Sequence, residues 1–483
     1  MDLKVFNEIE EKYNLPNLNI NGYFYWNYIR TVLGWKIEQQ KSQLDTIRTA
    51  ERVNFTRKVV KKVERIKNIL FHGRIKKKEC DILVLNHERR VWIDDSYECI
   101  YTDEIAKRYE NTIVLEAPYH GEHYKPIKTK NVIYTDIVEI YSYVFSSVGR
   151  LIWPKKFDEY KQKMCDALKQ PLAELNEKYG TSIKIAEIEG SLIYGYYMYR
   201  VEKLYYSSII KRLKPKVIIE MVSYSRKCMV VNEIAAELGI PTIELQHGTM
   251  GEEHFGYNYP KGYSIKQFPE YLFLFGNYWK EKSRFPISPD KIHPVGYPYM
   301  DKMEQKYSSK YKGKTKKNIL FLSSGPIGLE LANLAVGLTK MLDMKKFHII
   351  FKLHPAEYAA WRERYPVLVN ADVEVIDNNR QNLYEFFAKS DIQISGYGST
   401  TVFEGLYFSL TTFLVSYGMT KEFRELCDSG IAYEIGDIED LYRKIIESEN
   451  FDRTNLDGLS LWEKDGLNNM IKEIDKILGT DKE

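Results

Sequence analysis

Short apolar runs and longer amphipathic stretches divide the chain into elements. Residues 1–50 carry a helical pattern with an aromatic cluster at 23–28, and residues 136–212 carry a helical pattern almost throughout. Three short apolar runs lie between these regions and predict buried strands at 80–87, 111–118 and 131–136. The first part of the chain is therefore expected to combine many helices with a few strands.

From residue 215 onward strands and helices alternate regularly. The apolar runs predict strands at 216–222, 241–248, 270–276, 291–298, 318–324, 347–355, 373–377, 391–396, 411–416 and 431–436. Amphipathic stretches predict helices between them at 225–239, 326–342, 382–390, 398–408 and 421–430. Such alternation is typical of parallel sheets that are covered by helices on both faces.

The pattern therefore predicts an α/β protein with two Rossmann-like domains that face a cleft, and with a helical N-terminal part. The polar and basic segment 303–317 is the predicted linker between a first domain over 1–302 and a second over 318–440. Residues 441–483 are expected to form C-terminal helices, the last of which is placed to cross back to the first domain.

Composition excludes several classes of protein. The chain has 483 residues, and its 70 Lys+Arg against 67 Asp+Glu are too balanced for a nucleic-acid-binding protein. The five cysteines are scattered without a CxxC pair, which argues against a zinc or redox site and favours a reducing compartment. Because neither a secretory signal nor an apolar run long enough for a membrane helix is evident, we expect a cytoplasmic protein.

Charge is concentrated in one segment, residues 51–80. This segment contains 11 Lys/Arg against 3 Asp/Glu, a local net charge of +8 in a chain whose total is +3. The apolar residues Val59, Val63, Ile66 and Leu70 fall on one face of a helix. A basic amphipathic helix is typical of a contact with an anionic membrane, although a solvated helix packed on its own domain has the same pattern.

The first candidate for chemistry follows the strand at 241–248. His247 stands in the sequence Gln-His-Gly-Thr just after an apolar run, where open α/β sheets bind their ligands. It is a candidate general base, and Glu252 in the following Gly-Glu-Glu-His run is an alternative base. A histidine that only caps a turn would have the same sequence.

A second candidate is the Lys-Leu-His-Pro-Ala-Glu turn at 352–357. Lys352 and His354 around one turn are suited to bind a phosphate through charge-assisted hydrogen bonds, and Glu357 is a candidate for a ribose hydroxyl. An ordinary strand–turn–helix connection is the alternative.

A third candidate is the Ser-Gly-Tyr-Gly-Ser-Thr-Thr run at 395–401, which opens a predicted helix. Ser399 and Thr400 with the unpaired N–H groups of that helix could cradle a phosphate, and Glu404 on the same helix could reach a ribose. Ser324 in the Ser-Ser-Gly-Pro turn is a weaker candidate, since a tight turn explains it as well.

Other motifs of enzyme sites are not found in the sequence. It has no P-loop, no GxGxxG after a first strand, no GxSxG and no HExxH. His120 and His123 could hold a metal, but a solvated loop is the preferred interpretation. No Asp-x-Asp signature is evident, so nothing in the sequence requires a metal or a tightly bound cofactor.

The motifs QHGT, KLHPAE and SGYGSTTVFEGL resemble those of GT-B glycosyltransferases that build bacterial surface polysaccharides. The similarity is to capsule-type transferases, polysialyltransferases and teichoic-acid glycerophosphotransferases, and it covers roughly 215–440. It implies that His247 lies near the acceptor, that His354 binds the nucleotide phosphate, and that Ser399 and Thr400 also hold phosphate. The first domain would then be the acceptor side and the second would bind the nucleotide sugar.

Two departures from the family patterns concern the donor and the base. Gln246 replaces the aromatic residue that precedes His-Gly in the glycerophosphotransferases, which argues against a glycerol-phosphate donor. Glu252-Glu253 precede His254 where the polysialyltransferases have Gly, so the base is either His247 or one of these glutamates. The resemblance implies transfer of a sugar from a CMP-, CDP- or UDP-linked donor to a surface-polysaccharide or lipid-linked acceptor. The alternatives are a nucleotide-sugar 2-epimerase-like enzyme and a non-catalytic assembly scaffold.

Overall fold

The computed structural model describes residues 2–42, 67–68, 79–88, 90–152, 154–311, 315–396, 399–448 and 459–480. The basic segment 51–80 lies almost entirely outside the described residues, so its contact with a membrane stays a prediction.

The first domain is built on a seven-stranded sheet in which every pair of neighbouring strands is parallel. The strand order is β5-β4-β1-β6-β7-β8-β9. The strands are β1 (Ile82–Leu85), β4 (Thr112–Glu116), β5 (Val132–Tyr134), β6 (Val217–Glu220), β7 (Thr242–Leu245), β8 (Tyr271–Leu274) and β9 (Ile292–Pro294). A separate antiparallel hairpin, β2 (Val91–Ile93) with β3 (Ser96–Glu98), was not predicted from the sequence.

Nine helices belong to the described part of this domain. They are α1 (Leu3–Lys12), α2 (Tyr25–Ser42), α3 (Asp103–Arg108), α4 (Asp136–Ile152), α5 (Pro154–Tyr179), α6 (Ala186–Leu213), α7 (Arg226–Leu238), α8 (Asn277–Lys282) and α9 (Pro298–Tyr307). Helix α7 begins and ends where its capping residues in the sequence predict. Its N-cap Ser225 accepts a hydrogen bond from the Cys228 N–H, and it ends at Gly239, which adopts φ 67°.

The second domain has a six-stranded parallel sheet in the order β12-β11-β10-β13-β14-β15. Its strands are β10 (Lys317–Leu322), β11 (Phe347–Lys352), β12 (Glu374–Ile376), β13 (Ile392–Ser395), β14 (Thr411–Val415) and β15 (Ala432–Ile435). Its helices are α10 (Gly328–Met341), α11 (Trp361–Arg364), α12 (Leu383–Lys389), α13 (Thr401–Tyr407), α14 (Lys421–Asp428) and α15 (Ile438–Glu447). The predicted α/β class with two Rossmann-like domains is confirmed.

The last helix, α16 (Gly466–Leu478), returns to the first domain. Met470 and Ile474 are buried in the same apolar cluster as the strands of the first sheet, and the Tyr109 hydroxyl donates to Asp475 at 2.9 Å. The structure thus confirms the predicted crossing of this helix.

The predicted linker needs a correction at both ends. Residues 303–307 are the last turns of α9, and Lys317 already begins β10. The helix continues because Met303 and Tyr307 are buried in a core cluster, although their neighbours in sequence are polar.

Candidate functional site

Two acidic residues lie side by side where β6 and β7 end. Glu220 and Glu244 are partners in the parallel register and are both fully buried. Burial raises the pKa of Glu220 to about 8, with repulsion from Glu244 adding to the shift, and raises the pKa of Glu244 to about 7. Asn232 donates to Glu220 at 2.8 Å, and the Tyr257 hydroxyl donates to Glu244 at 2.6 Å.

His247 follows β7 and lies near Glu244, one member of this pair. Its Nδ1 lies 4.0 Å from a Glu244 oxygen, and its Nε2 lies 3.4 Å from the Tyr224 hydroxyl. Within the described part of the chain, neither Nδ1 of His247 nor the second Glu244 oxygen has a hydrogen-bond partner. The side chain is 17% exposed, so the protein does not enclose His247 completely.

The surroundings of His247 keep its imidazole neutral. Burial lowers the pKa of His247 to about 3, and the rings of His254 and His87 reinforce the effect. Burial also lowers the pKa of His254 to about 4, and its Nδ1 accepts from the Gly256 N–H at 3.0 Å. A neutral imidazole next to a buried carboxylate can accept a proton and have the resulting charge stabilised.

The N-terminal helices hold the loop that follows His247. Arg30 of α2 is buried, and its guanidinium donates to the carbonyls of Phe255 and Asn258. The same guanidinium is fixed by Glu10 of α1 through two hydrogen bonds of 2.8 and 2.9 Å. The helical N-terminal part therefore supports one wall of the candidate site.

Glu252, the alternative base, lies further out on this loop. Its carboxylate is 54% exposed and 3.6 Å from Nζ of Lys421, which opens α14 of the second domain. A Cβ on the neighbouring Gly251 would collide with the Glu422 carboxylate, so the loop and α14 approach closely. Glu252 thus lies where the two domains meet, but outside the buried cluster around His247.

His354 follows β11 in the second domain. Its ring Nδ1 accepts from the Ala356 N–H at 3.2 Å, and its backbone N–H donates to the Glu357 carboxylate at 2.8 Å. Glu357 is 2% exposed and also accepts from the Tyr365 hydroxyl. Because its carboxylate is turned inward and engaged by the protein, the geometry favours a supporting role for Glu357 over the predicted ribose contact.

Lys352 ends the same strand and is largely buried. Its Nζ donates to the Leu353 carbonyl at 3.1 Å and to the Tyr358 hydroxyl at 2.5 Å. Burial lowers the pKa of Lys352 to about 8, and Asp377 and Glu357 only partly offset this. An anion bound nearby would favour the charged form of this lysine.

The loop after β13 carries the third predicted cluster. Ser399 and Thr401 share a hydrogen bond of 2.6 Å between their hydroxyls, while Thr400 is exposed and makes no side-chain cap. Ser324, after β10, has a buried hydroxyl without a hydrogen-bond partner in the described part of the chain. These side chains lie at the carboxyl ends of neighbouring strands, as do Lys352 and His354.

Glu404 on α13 is linked to the first domain by a row of tyrosines. Burial raises the pKa of Glu404 to about 7, and a hydrogen bond with Tyr384 opposes the shift. From Tyr384 the row runs through Tyr299 and Tyr297 to Tyr101, with successive ring centroids 5.3, 6.1 and 5.6 Å apart. The Tyr101 hydroxyl donates to the carbonyl of His247 at 3.0 Å. Tyr101, Tyr297, Tyr299 and Tyr384, the tyrosine row, thus connect the two halves of the candidate site.

The interpretation of His123 as part of a solvated loop was wrong. Its side chain is 2% exposed, with Nε2 2.8 Å from Asp136 and Nδ1 3.5 Å from Glu116. Burial opposes protonation, but the two carboxylates prevail and raise the pKa of His123. His120 is exposed, and the described residues contain no group of His, Cys, Asp and Glu arranged to hold a metal ion.

Sequence reasoning missed Glu220 and Glu244. Each is an acid inside a run that otherwise predicts a buried strand, at the matching position of two consecutive strands. An acid at the same position of two consecutive apolar strands was therefore the signal from which this pair could have been predicted.

No protein-family model matches the chain, and no curated protein matches it. Solved structures do resemble it. The UDP-GlcNAc 2-epimerase from Methanocaldococcus jannaschii has a TM-score of 0.50 and 12% identity, covering 83% of this chain and 99% of that one. The S. aureus MnaA–UDP structure has a TM-score of 0.49 and 14% identity over 84% and 98% of the two chains. Acinetobacter baumannii MurG has a TM-score of 0.39 and 14% identity over 59% and 79%.

At these identities the likeness concerns the fold. The chain has the GT-B arrangement of two Rossmann-like domains facing a cleft. Among the described helices, none combines the length and the apolar character needed to cross a bilayer.

Proposed function

We propose that the protein is a glycosyltransferase that moves a sugar from a nucleotide-activated donor to a surface-polysaccharide or lipid-linked acceptor. The observation that carries the proposal is the pairing of neutral His247 with buried Glu244 in the first domain, joined by the tyrosine row to Glu404 in the second. The motif resemblance supplies the reaction class, and the fold is compatible with it.

In the proposed reaction His247 is the base. An acceptor hydroxyl attacks the anomeric carbon of the donor sugar, the bond from that carbon to the phosphate oxygen breaks, and the nucleotide leaves with the electron pair. His247 takes the hydroxyl proton, and Glu244, 4.0 Å away, stabilises the imidazolium that forms.

The second domain would hold the leaving nucleotide. His354 and Lys352 would meet the phosphate charge, with Ser399, Thr400 and Ser324 as hydroxyl donors around it. Glu404 would accept from the ribose hydroxyls. We propose UDP as the first nucleotide to test, because the archaeal neighbour acts on UDP-GlcNAc, with CDP and CMP as alternatives.

The test separates donor binding from transfer. We expect UDP or a UDP-sugar to raise the melting temperature of the wild-type protein, since a ligand stabilises the state that it binds. His354→Ala should lose this shift, whereas His247→Ala should keep it and lose transfer by about 10²–10⁴-fold. His348→Ala is the matched control, because His348 lies on β11, the strand that precedes His354, and is 39% exposed and paired with Glu374.

Two outcomes would contradict this proposal or a part of it. No shift with any of the three nucleotides or their sugars would contradict it and favour a scaffold. Transfer that survives His247→Ala but is lost in Glu252→Gln would make Glu252 the base.

A second candidate, the nucleotide-sugar 2-epimerase, is favoured by one observation. The sequence had offered no cluster of acids for such an enzyme, and the structure brings Glu220 and Glu244 together. NMR of a UDP-sugar incubated with the protein without acceptor distinguishes the two, because an epimerase forms the C2 epimer and a transferase does not.

We also propose a cytoplasmic location at the inner face of the membrane, with residues 51–80 as an anionic-lipid contact. Neutralising Lys58, Lys61, Lys62 and Arg65 should then reduce sedimentation with anionic liposomes.

A further inference from the structure

Helix α4 presents a broad apolar face to solvent. Of the seventeen large apolar side chains that are at least 36% exposed in the described part of the chain, six lie on this one helix. They are Ile140, Tyr141, Val144, Phe145, Val148 and Leu151. Leu151 is 80% exposed and Tyr141 is 55% exposed, so this is a concentrated surface and not the usual scatter of single apolar residues.

The six residues form one continuous stripe. At 100° per residue they cover an arc of about 140° around the helix axis. On the inner side Val138 and Ser142 are buried, and the Phe145 ring lies 5.9 Å from Tyr197 of α6. Helix α6 itself exposes Tyr194 and Leu204. A helix that is apolar both inward and outward requires an apolar environment on its outer side as well.

The charges around the stripe indicate what that environment is. Residues 140–149 contain no charged residue. The acidic Glu139 precedes them, and Arg150, Lys155 and Lys156 follow before the next acids, Asp158 and Glu159. Lys155 and Lys156 are exposed in the first turn of α5, the helix that follows. An exposed apolar helix face followed in sequence by exposed lysines is typical of a helix lying in the interface of an anionic bilayer.

We propose that α4 is a membrane-docking helix. Its apolar stripe enters the headgroup–acyl boundary of an anionic bilayer, while its inner side stays packed on α6. The helix lies along the surface because one side is covered by protein. This surface is distinct from residues 51–80, and its role does not depend on which reaction the site performs.

The test is co-sedimentation of the full chain with vesicles. Mixed phosphatidylglycerol and phosphatidylcholine vesicles should bind the wild-type protein, and Val144→Glu/Leu151→Glu should reduce the partition coefficient by about tenfold or more. Lys155→Gln/Lys156→Gln should reduce it by roughly fivefold or more on anionic vesicles and little on phosphatidylcholine alone. All four positions are exposed, so the fold should persist in each variant.

A matched control carries the same change on the second domain. Leu329→Glu/Ile446→Glu replaces two side chains that are 54% and 49% exposed, and it should bind vesicles like the wild type. Unchanged vesicle binding of Val144→Glu/Leu151→Glu would overturn the proposal. Light scattering of the same samples adds one outcome: a wild-type oligomer that this variant dissociates, with vesicle binding unchanged, would assign the stripe to a second copy of the chain.

Discussion

Among single residues, Glu244 controls how well His247 can act as a base. With a pKa of about 7, Glu244 gains a proton as the pH falls below neutrality and can then no longer stabilise an imidazolium. We expect kcat/KM for transfer to rise between pH 6 and 8 in the wild-type protein. Glu244→Gln should remove this rise and lower the rate by roughly 10–100-fold, as a pH–rate profile will show.

The control for this variant is Glu270→Gln, since Glu270 pairs with Lys291 in an ordinary surface ion pair before β8. It should keep both the rate and the pH dependence. A profile of Glu244→Gln that still rises near neutrality would show that another group titrates.

Glu220 makes stability depend on pH. Its pKa is about 8 in the folded protein and near 4.5 in the unfolded chain, so the folded state holds a proton that the unfolded state has released between these values. The free energy of unfolding should therefore fall as the pH rises from 6.5 to 8, by roughly 1–2 kcal/mol. Below pH 6.5 the lowered pKa values of His247 and His254 act in the opposite direction: they make the free energy of unfolding rise with pH, because the unfolded chain binds protons that the folded state does not.

Urea unfolding at several pH values checks this effect. Glu220→Gln keeps a polar partner for Asn232 and should flatten the decline above pH 6.5. An equally steep decline in this variant would contradict the assignment to Glu220.

The sequence predicted correctly which candidate side chains follow the end of a strand. His247, His354 and Ser399 lie after strand ends, where the alternating pattern placed them. Glu220 and Glu244 were missed because an acid inside an apolar run has no local signature of its environment. Only the register of two strands brings these acids together, and strand register is a tertiary property.

At the level of elements, α1 and α2 determine the shape of the loop after His247. Arg30 is buried with Glu10, so replacing Arg30 with Met leaves a buried carboxylate without its partner. We expect Arg30→Met to lower the free energy of unfolding by about 3–5 kcal/mol. The double variant Glu10→Gln/Arg30→Met should recover part of this loss in urea unfolding, because no uncompensated charge remains.

The strands of the two parallel sheets were predicted well, and the antiparallel hairpin was not. All the parallel strands were expected, including the three-residue strands β5, β9 and β12, because short apolar runs and, from residue 215 onward, the regular strand–helix alternation mark them. The hairpin of β2 and β3 lies outside that alternation, and its three-residue strands are too short to show a pattern of their own. The role of the N-terminal helices could not be predicted from the sequence either, because the contacts of Arg30 with Phe255 and Asn258 span more than 220 positions in the chain.

For the whole molecule, one apolar cluster crosses from the first domain to the second. It includes Trp279 of α8, Phe403 of α13 and Leu461 just before α16, and the Trp279 indole donates to the Leu461 carbonyl at 3.0 Å. The Tyr407 hydroxyl of α13 donates to Asp301 of α9, which also accepts from the Gly466 N–H. The end of the chain therefore ties the second domain to the first on the side of α9.

Because α16 packs against the first sheet, truncation of its buried side chains should destabilise the first domain more than the second. Met470→Ala/Ile474→Ala removes two side chains buried against the first sheet, and each truncation of this kind costs about 2–5 kcal/mol. Hydrogen exchange should accelerate in β1 and β6, which share that cluster, and change little in β10 and β11. Leu338→Ala/Ile445→Ala makes the matched change in the second domain and should give the reverse pattern. Equal acceleration in both sheets would mean that the domains unfold as one unit, because loss of packing in one core would then be shared by the other.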